Sequence, residues 1–118
     1  MTDLRTILAE LARVDGVAAA LVVGRDGFLI GGVSAEEDLD LEAVGAVTAS
    51  ALGASEILSA DLRRGQLVSV MLEYEDGVVV VAPAGQEAML VVVTTGSATL
   101  GRVRLELRKR RAAVVEAL

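Results

Sequence analysis

The sequence predicts an α+β fold, a three-layer helix–sheet–helix sandwich built on a five-stranded antiparallel sheet. Three segments carry apolar residues at helical spacing, and five short apolar runs are separated by turns that contain Gly, Asp or Pro. The turns within each group of runs are too short for parallel crossovers, so the strands must pair antiparallel. Several runs are apolar at consecutive positions, which predicts a sheet covered on both faces. With 118 residues, the chain is expected to form one domain over residues 1–118.

The first elements are a helix over about residues 3–14 and a β-hairpin. Thr2 is the predicted N-cap of the helix. Two apolar runs follow, over residues 17–23 and 28–33, on either side of an Asp26-Gly27 turn. An Asp-Gly pair between apolar runs is a strong hairpin signal.

A second, longer helix is predicted over residues 40–59, followed by a loop over residues 60–65. Its aliphatic face consists of Leu41, Val44, Val47, Ala51 and Leu58. Acidic residues cluster at its start: Glu36, Glu37, Asp38, Asp40 and Glu42. Such a cluster favours the positive end of the helix dipole, and it could also hold a hard cation such as calcium, although it lacks the spacing of an EF-hand loop.

Three strands and a last helix complete the order α-β-β-α-β-β-β-α. The strands are predicted over residues 67–74, 78–82 and 88–94, and Ser97 is the predicted cap of the last helix. Residues 97–118 contain six basic and two acidic side chains, a local charge of +4. Because the whole chain has a net charge of −6, residues 1–96 carry −10.

The composition excludes several kinds of chemistry. The chain has no Cys and no His, so thiolate nucleophiles, thiolate metal sites and imidazole bases are ruled out. Its two aromatic residues and its negative charge disfavour nucleic acid. No apolar stretch reaches the roughly 18 residues of a membrane span, and no secretory signal is recognised. We expect a cytoplasmic protein without direct membrane insertion, cofactor, metal or catalytic residue.

The glycines of the hairpin do not form a phosphate-binding loop. Gly24, Gly27 and Gly31-Gly32 lie inside a hairpin, not between a strand and a helix N-terminus, and the pattern G-x-x-x-x-G-K-[ST] is absent. These residues are predicted to form turns.

Small residues form a strip along the second helix. Gly45, Ala49 and Gly53 recur every four residues, with Ala46 and Ser50 beside them. An interior glycine costs about 1 kcal/mol relative to alanine, so the strip predicts close packing on a partner helix. The general abundance of Gly and Ala in this chain is the alternative explanation.

The strand over residues 67–74 suggests the same partner. As the first strand of its group it is a candidate for a sheet edge, where unpaired backbone groups form a pairing template. One of its two faces is mixed in polarity, with Leu67, Ser69, Met71 and Glu73. A two-fold homodimer in which this strand and the small-residue strip each meet their own copy would be closed.

Two groups of basic residues are further candidates for partner contacts. Arg104, Arg108 and Arg111 share one face of the last helix, which fits an acidic protein partner, an anionic surface or a solvated face. Arg63 and Arg64 lie in the predicted loop, where they either contact a partner or keep the loop soluble.

Over essentially its whole length, the chain resembles the roadblock / dynein light chain family. The resemblance is carried by the order and spacing of segments 16–30, 72–81, 90–94 and 100–107. It implies the fold inferred above and a dimer formed through the second helix and the third strand. Gly45, Ala49, Gly53 and residues 67–74 would then lie at the dimer interface.

The resemblance also implies a function. Members of the family generally bind or regulate small Ras-like GTPases or serve as adaptor subunits, and the stand-alone prokaryotic members resemble regulators of gliding motility. The expected function is a non-catalytic homodimeric module that binds a Ras-like GTPase, as an activator or a scaffold. A small-ligand sensor, an adaptor without a GTPase partner and an enzyme that uses carboxylates alone, such as Glu73, are the alternatives.

Overall fold

The computed structural model describes residues 3–96 and 98–118 and contains three helices and five strands. In chain order these are α1 (Leu4–Ala12), β1 (Val17–Gly24), β2 (Leu29–Ser34), α2 (Leu41–Leu62), β3 (Val70–Tyr74), β4 (Gly77–Ala84), β5 (Ala88–Thr94) and α3 (Leu100–Ala117). The element order and the fold class predicted from the sequence are confirmed.

All strand pairs of the single sheet are antiparallel, and the strand order is β2-β1-β5-β4-β3. The hairpin β1–β2 and the meander β3–β4–β5 join where β1 pairs with β5. The two edges are therefore β2 and β3, as expected for the first strand of the meander.

Helices cover both faces of the sheet. On one face, α1 and α3 pack on Ala20 and Val22 of β1 and on the residues of β4 and β5 that point the same way. On the other face, α2 packs on Leu21 and Val23. All eight positions of β1 are buried because successive side chains point into opposite layers, which explains its continuous apolar sequence.

Three predicted element boundaries are wrong. Helix α2 continues to Leu62, so residues 60–62 belong to the helix rather than to a loop. It ends because Arg63 adopts a left-handed conformation (φ 53°) and donates its backbone N–H to the carbonyl of Ser59 at 3.2 Å. Strand β3 begins only at Val70, and β4 extends through Pro83, which pairs with Met89.

The helix caps also differ from the prediction. Thr2 and Ser97 lie outside the described residues. The N-cap of α1 is Asp3, whose carboxylate accepts the backbone N–H of Thr6 at 2.9 Å, and the N-cap position of α3 is Thr99. That bond stabilises the ionised carboxylate and lowers the pKa of Asp3.

Candidate functional site

Helix α2 lies on the sheet through a mixture of small, polar and aliphatic residues, with Leu41 and Val44 packed at the edge of the contact. Its buried residues are Gly45, Thr48 and Leu52. A Cβ added at Gly45 would lie 3.1 Å from a methyl carbon of Val23, so the glycine allows the helix to approach β1 closely. The Thr48 hydroxyl donates to the Val44 carbonyl at 2.7 Å, which satisfies it in the apolar contact.

The predicted aliphatic face of α2 is buried only in part. Leu41 and Val44 are half-buried and pack against the core on this side of the sheet, whereas Val47 is 67% exposed and Leu58 is 52% exposed. The helix is apolar on most of its circumference, so the aliphatic pattern did not separate the side that meets the sheet from the side that points outward.

The side of α2 that points away from the sheet forms a continuous apolar surface, which we call the outward α2 face. It consists of Ala43, Ala46, Val47, Ser50, Gly53, Ala54, Ile57 and Leu58, all of them exposed. Ile57 is 74% exposed. Contiguous exposed apolar surface of this kind marks an interaction site in soluble proteins.

The structure divides the predicted small-residue strip between two surfaces. Gly45 is buried and Ala49 is half-buried against the protomer's own sheet and hairpin turn, whereas Ala46, Ser50 and Gly53 lie on the outward α2 face. A Cβ added at Gly53 would meet no described atom within 4 Å. Packing within the protomer thus explains Gly45 and leaves Gly53 unexplained.

The β3 edge adjoins this face, because α2 contacts β3. Met71 pairs with Val80 and Glu73 with Val78, so both side chains point to the α1–α3 side. Leu67 packs under α2, and Ser69 lies beside α3. Within the described residues no strand pairs with the outer edge of β3. Of the residues predicted for this strand, Met71 and Glu73 therefore lie on the sheet edge, whereas Leu67 and Ser69 lie in the segment before it.

Arg25, in the β1–β2 turn, fixes the position of α2. Its guanidinium donates to the Glu56 carboxylate on α2 and to the backbone carbonyls of Ala88 and Gly85, the latter two at 3.2 Å each. No local sequence pattern points to Arg25, because its carboxylate partner is 31 residues away.

The two predicted groups of basic residues lie on different elements. Arg63 and Arg64 are exposed immediately after α2. Arg104, Arg108 and Arg111 lie on α3 and line a groove together with Val68, Ser69, Val80, Ala82 and Leu107. The structure does not join the two groups into one site.

The buried polar groups and the acidic side chains of the described residues bear on whether a metal or a small ligand could bind. In residues 3–96 and 98–118, no three Asp or Glu side chains are grouped to hold a metal ion. The two buried threonines are both satisfied, Thr48 as described above and Thr94 through Val78. In this part of the chain, the one buried side-chain nitrogen or oxygen without a hydrogen bond is Arg110 Nε, which lies 3.5 Å from the Glu10 carboxylate.

By length and composition, α2 is the one membrane-span candidate among the described residues. It has 22 residues, and its most apolar window has a mean hydropathy of 1.3 with 17% of that window buried. A single helix of this kind is weak evidence for a membrane span, because helices of soluble proteins pass the same test. The small buried fraction of this window agrees with the exposure of the outward α2 face in the protomer.

Comparison with known proteins gives concordant results. Residues 4–94 match the model of the Roadblock/LC7 domain. The uncharacterized protein MJ1340 of Methanocaldococcus jannaschii is 36% identical over 112 residues, which cover 95% of this chain and 96% of that relative.

Two solved structures are similar along nearly the whole chain. One is the gliding protein MglB from Thermus thermophilus, with a TM-score of 0.87 and 25% identity, covering 96% of this chain and 86% of that one. The other is described as MglB with a tetrameric arrangement; its TM-score is 0.88 at 27% identity, and it covers 97% and 89% of the two chains.

Proposed function

Because the chain belongs to the Roadblock/LC7 domain family, we propose that it is a non-catalytic homodimeric module that binds and regulates a small Ras-like GTPase in the cytoplasm. The observation that carries the proposal is the outward α2 face, an exposed apolar surface beside an unpaired sheet edge. The similarity to MglB supports the comparison with regulators of gliding motility.

In the proposed dimer, a second copy covers the outward α2 face. Gly53 lies near the middle of α2, where the absence of a side chain allows two helices to cross closely. Pairing of β3 with its own copy would satisfy the free backbone edge and continue the sheet across the two-fold axis. Ala46, Ser50 and Met71 belong to this interface, whereas Gly45 and Ala49 serve packing within each protomer.

The GTPase is proposed to contact the α2 layer of the dimer at its basic end. Arg63 and Arg64 are exposed there and carry the positive charge on a side of the molecule that is otherwise acidic, with Glu42 and Asp61 on the same helix. An exposed charged pair at the rim of an apolar surface contributes to partner selection and association rate.

Binding to purified Ras-like GTPases from the source organism tests the proposal. Each GTPase is loaded with GDP or with a non-hydrolysable GTP analogue, and affinity is measured by biolayer interferometry alongside the rate of GTP hydrolysis. We expect at least one GTPase to bind. Preference for the GTP analogue together with faster hydrolysis indicates an activator, and equal affinity in both states indicates a scaffold.

A charge-reversed variant locates the contact. Arg63→Glu with Arg64→Glu should weaken GTPase binding about tenfold or more, by about 1.4 kcal/mol. Arg5→Glu with Arg13→Glu changes the net charge equally on exposed positions of the α1 region and should leave the affinity within about twofold. Absence of GTPase binding in both nucleotide states would contradict the GTPase proposal and favour an adaptor with another partner.

A further inference from the structure

The basic residues of α3 separate into two electrostatic groups. Arg102, Lys109 and Arg110 all surround Glu106: Arg110 contacts its carboxylate directly, Lys109 lies 3.8 Å away and Arg102 lies 4.0 Å away. Arg104, Arg108 and Arg111 form no ion pair with any residue of the described chain. These three cations are uncompensated, although the protein as a whole has a net charge of −6.

The three uncompensated arginines form one wall of a groove, which we call the α3–β3 groove. Its other wall is formed by Val68 and Ser69, and buried Val80 and Ala82 lie at its base with Leu107 of α3. The groove exists because α3 packs on β4 and β5, which leaves β3 beside the helix. Val68 is 56% exposed at its rim. The groove is narrow, with a volume of about 20 Å³, so it offers a ligand a surface contact made of positive charge and the exposed Val68 side chain.

We propose that the α3–β3 groove binds an extended, acidic protein segment in which carboxylates alternate with aliphatic residues. Helical residues three or four positions apart lie about 5–6 Å from one another, so the three arginines form an evenly spaced row. Alternate residues of an extended chain repeat at about 6.6 Å, close to the same spacing. The guanidinium groups then donate paired N–H bonds to the carboxylates, and an aliphatic residue of the segment packs on the exposed side chain of Val68.

The position of the groove favours a protein segment over a membrane surface. A flat bilayer would first meet the outermost row of α3, which mixes charge signs and polarity: Arg102, Leu105, Lys109, Ala112 and Glu116. The free arginines instead point along the side of the helix, over the sheet edge. The groove lies on the opposite side of the sheet from α2, and all of its lining residues belong to one protomer.

A synthetic peptide tests the groove directly. The probe is a fluorescein-labelled peptide, Glu-Leu-Glu-Val-Glu-Leu-Glu, and its counterpart carries Lys in place of every Glu. Binding to the full chain is measured by fluorescence anisotropy at several salt concentrations. We expect the acidic peptide to bind, the basic peptide not to bind, and the affinity to fall as salt rises.

Matched variants assign the binding to this groove. The triple variant Arg104→Gln, Arg108→Gln, Arg111→Gln should weaken peptide binding at least tenfold, and Val68→Ser should weaken it about threefold. The control Arg5→Gln, Arg13→Gln, Lys109→Gln removes the same charge from exposed positions outside the groove and should stay within twofold. Circular dichroism verifies that each variant is folded.

Three results would overturn the proposal. One is equal affinity of the groove variant and the control variant, and a second is equal binding of the acidic and basic peptides. The third is binding of phosphatidylserine-containing vesicles, abolished by the triple variant, without binding of the acidic peptide. That result would assign the arginines to a membrane surface instead.

Discussion

The two helical layers of this protein are covered to very different degrees. In the α1–α3 layer, each helix buries three aliphatic side chains, and charged residues pair between the helices, with Glu10 and Arg110 3.5 Å apart. In the α2 layer, a helix of 22 residues buries only Gly45, Thr48 and Leu52. The α1–α3 layer is completed within the protomer, whereas the α2 layer leaves its apolar outward side exposed.

The apolar content of a helix alone does not determine which of its sides is buried in the protomer. Both layers are rich in aliphatic residues, but they place different shares of them in the protomer's core. In α2, Leu52 is buried beside Gly45 and Thr48, whereas Val47, Ile57 and Leu58 remain exposed. The following variants test each half of this contrast.

The largest effect on folding is expected for truncation in the completed layer. Leu8 of α1 is 1% exposed, so Leu8→Ala should lower the free energy of unfolding by about 2–5 kcal/mol through lost burial and the resulting cavity. Leu105→Ala on α3 makes the same change at a site that is 49% exposed and should cost less than about 0.5 kcal/mol. Urea denaturation measures both, and equal losses would contradict the assignment of a completed layer.

A smaller loss in the free energy of unfolding is expected for a substitution where α2 approaches the sheet. Gly45→Leu inserts a side chain against Val23 in the closed core and should destabilise the protein by about 1–3 kcal/mol. Gly101→Leu, in α3, gives the same gain in helix propensity, but a Cβ added at Gly101 lies within 4 Å of no described atom. Thermal unfolding should therefore show a lower midpoint for the first variant only. An unchanged midpoint for Gly45→Leu would show that α2 is not held close to β1.

Loss of the Arg25 contacts should lower the free energy of unfolding by less than the Gly45→Leu substitution does. Arg25→Ala removes hydrogen bonds to two carbonyl groups and the Glu56 ion pair, and it should cost about 1–2 kcal/mol because the pair is partly exposed. Glu56→Gln removes the charge but keeps both carbonyl contacts, so its cost should be smaller. Hydrogen exchange should become faster in the second half of α2 in Arg25→Ala, and unchanged protection there would contradict the assigned role.

The smallest effect concerns acid stability of the α1–α3 layer. The hydrogen bond from Arg110 holds the pKa of Glu106 below its ordinary value of about 4.5, with further help from the charges of Lys109 and Arg102. Because the pKa is lower in the folded state, this contribution is present at neutral pH and is lost as the pH falls below about 4.5.

Glu106→Gln should therefore flatten the acid side of the pH–stability curve in that range. Glu116→Gln, at an exposed position without an ion pair in the described chain, is the matched control and should leave the curve unchanged. Identical curves for wild type and Glu106→Gln would contradict a stabilising role for the Glu106 cluster.

The fold was predictable because its signals are local. Alternating and helical periods, the Asp26-Gly27 turn and the order of the elements all lie in short stretches of sequence, and the structure confirms the fold that they predict. Boundaries were less predictable, because the end of α2 depends on a left-handed Arg63, a conformation that sequence pattern does not reveal.

The candidate surfaces were only partly predictable. Gly45 and Gly53 look equivalent in the sequence, and only the packing distances assign one to the sheet and the other to the outward α2 face. Arg104, Arg108 and Arg111 could be placed on one helical face, but the adjoining groove depends on the position of β3 relative to α3. Contacts between distant segments decide both cases.

Sedimentation equilibrium of the wild type, Gly53→Leu and Gly101→Leu tests the central claim most directly. We predict a wild-type dimer at micromolar concentration, a dissociation constant raised on the order of 100-fold by Gly53→Leu, or about 2.7 kcal/mol, and no change for Gly101→Leu. A leucine at Gly53 would block a close helix crossing without disturbing the protomer. A monomeric wild type, or a Gly53→Leu variant that dimerises as tightly as the wild type, would contradict the claim that a second copy covers the outward α2 face.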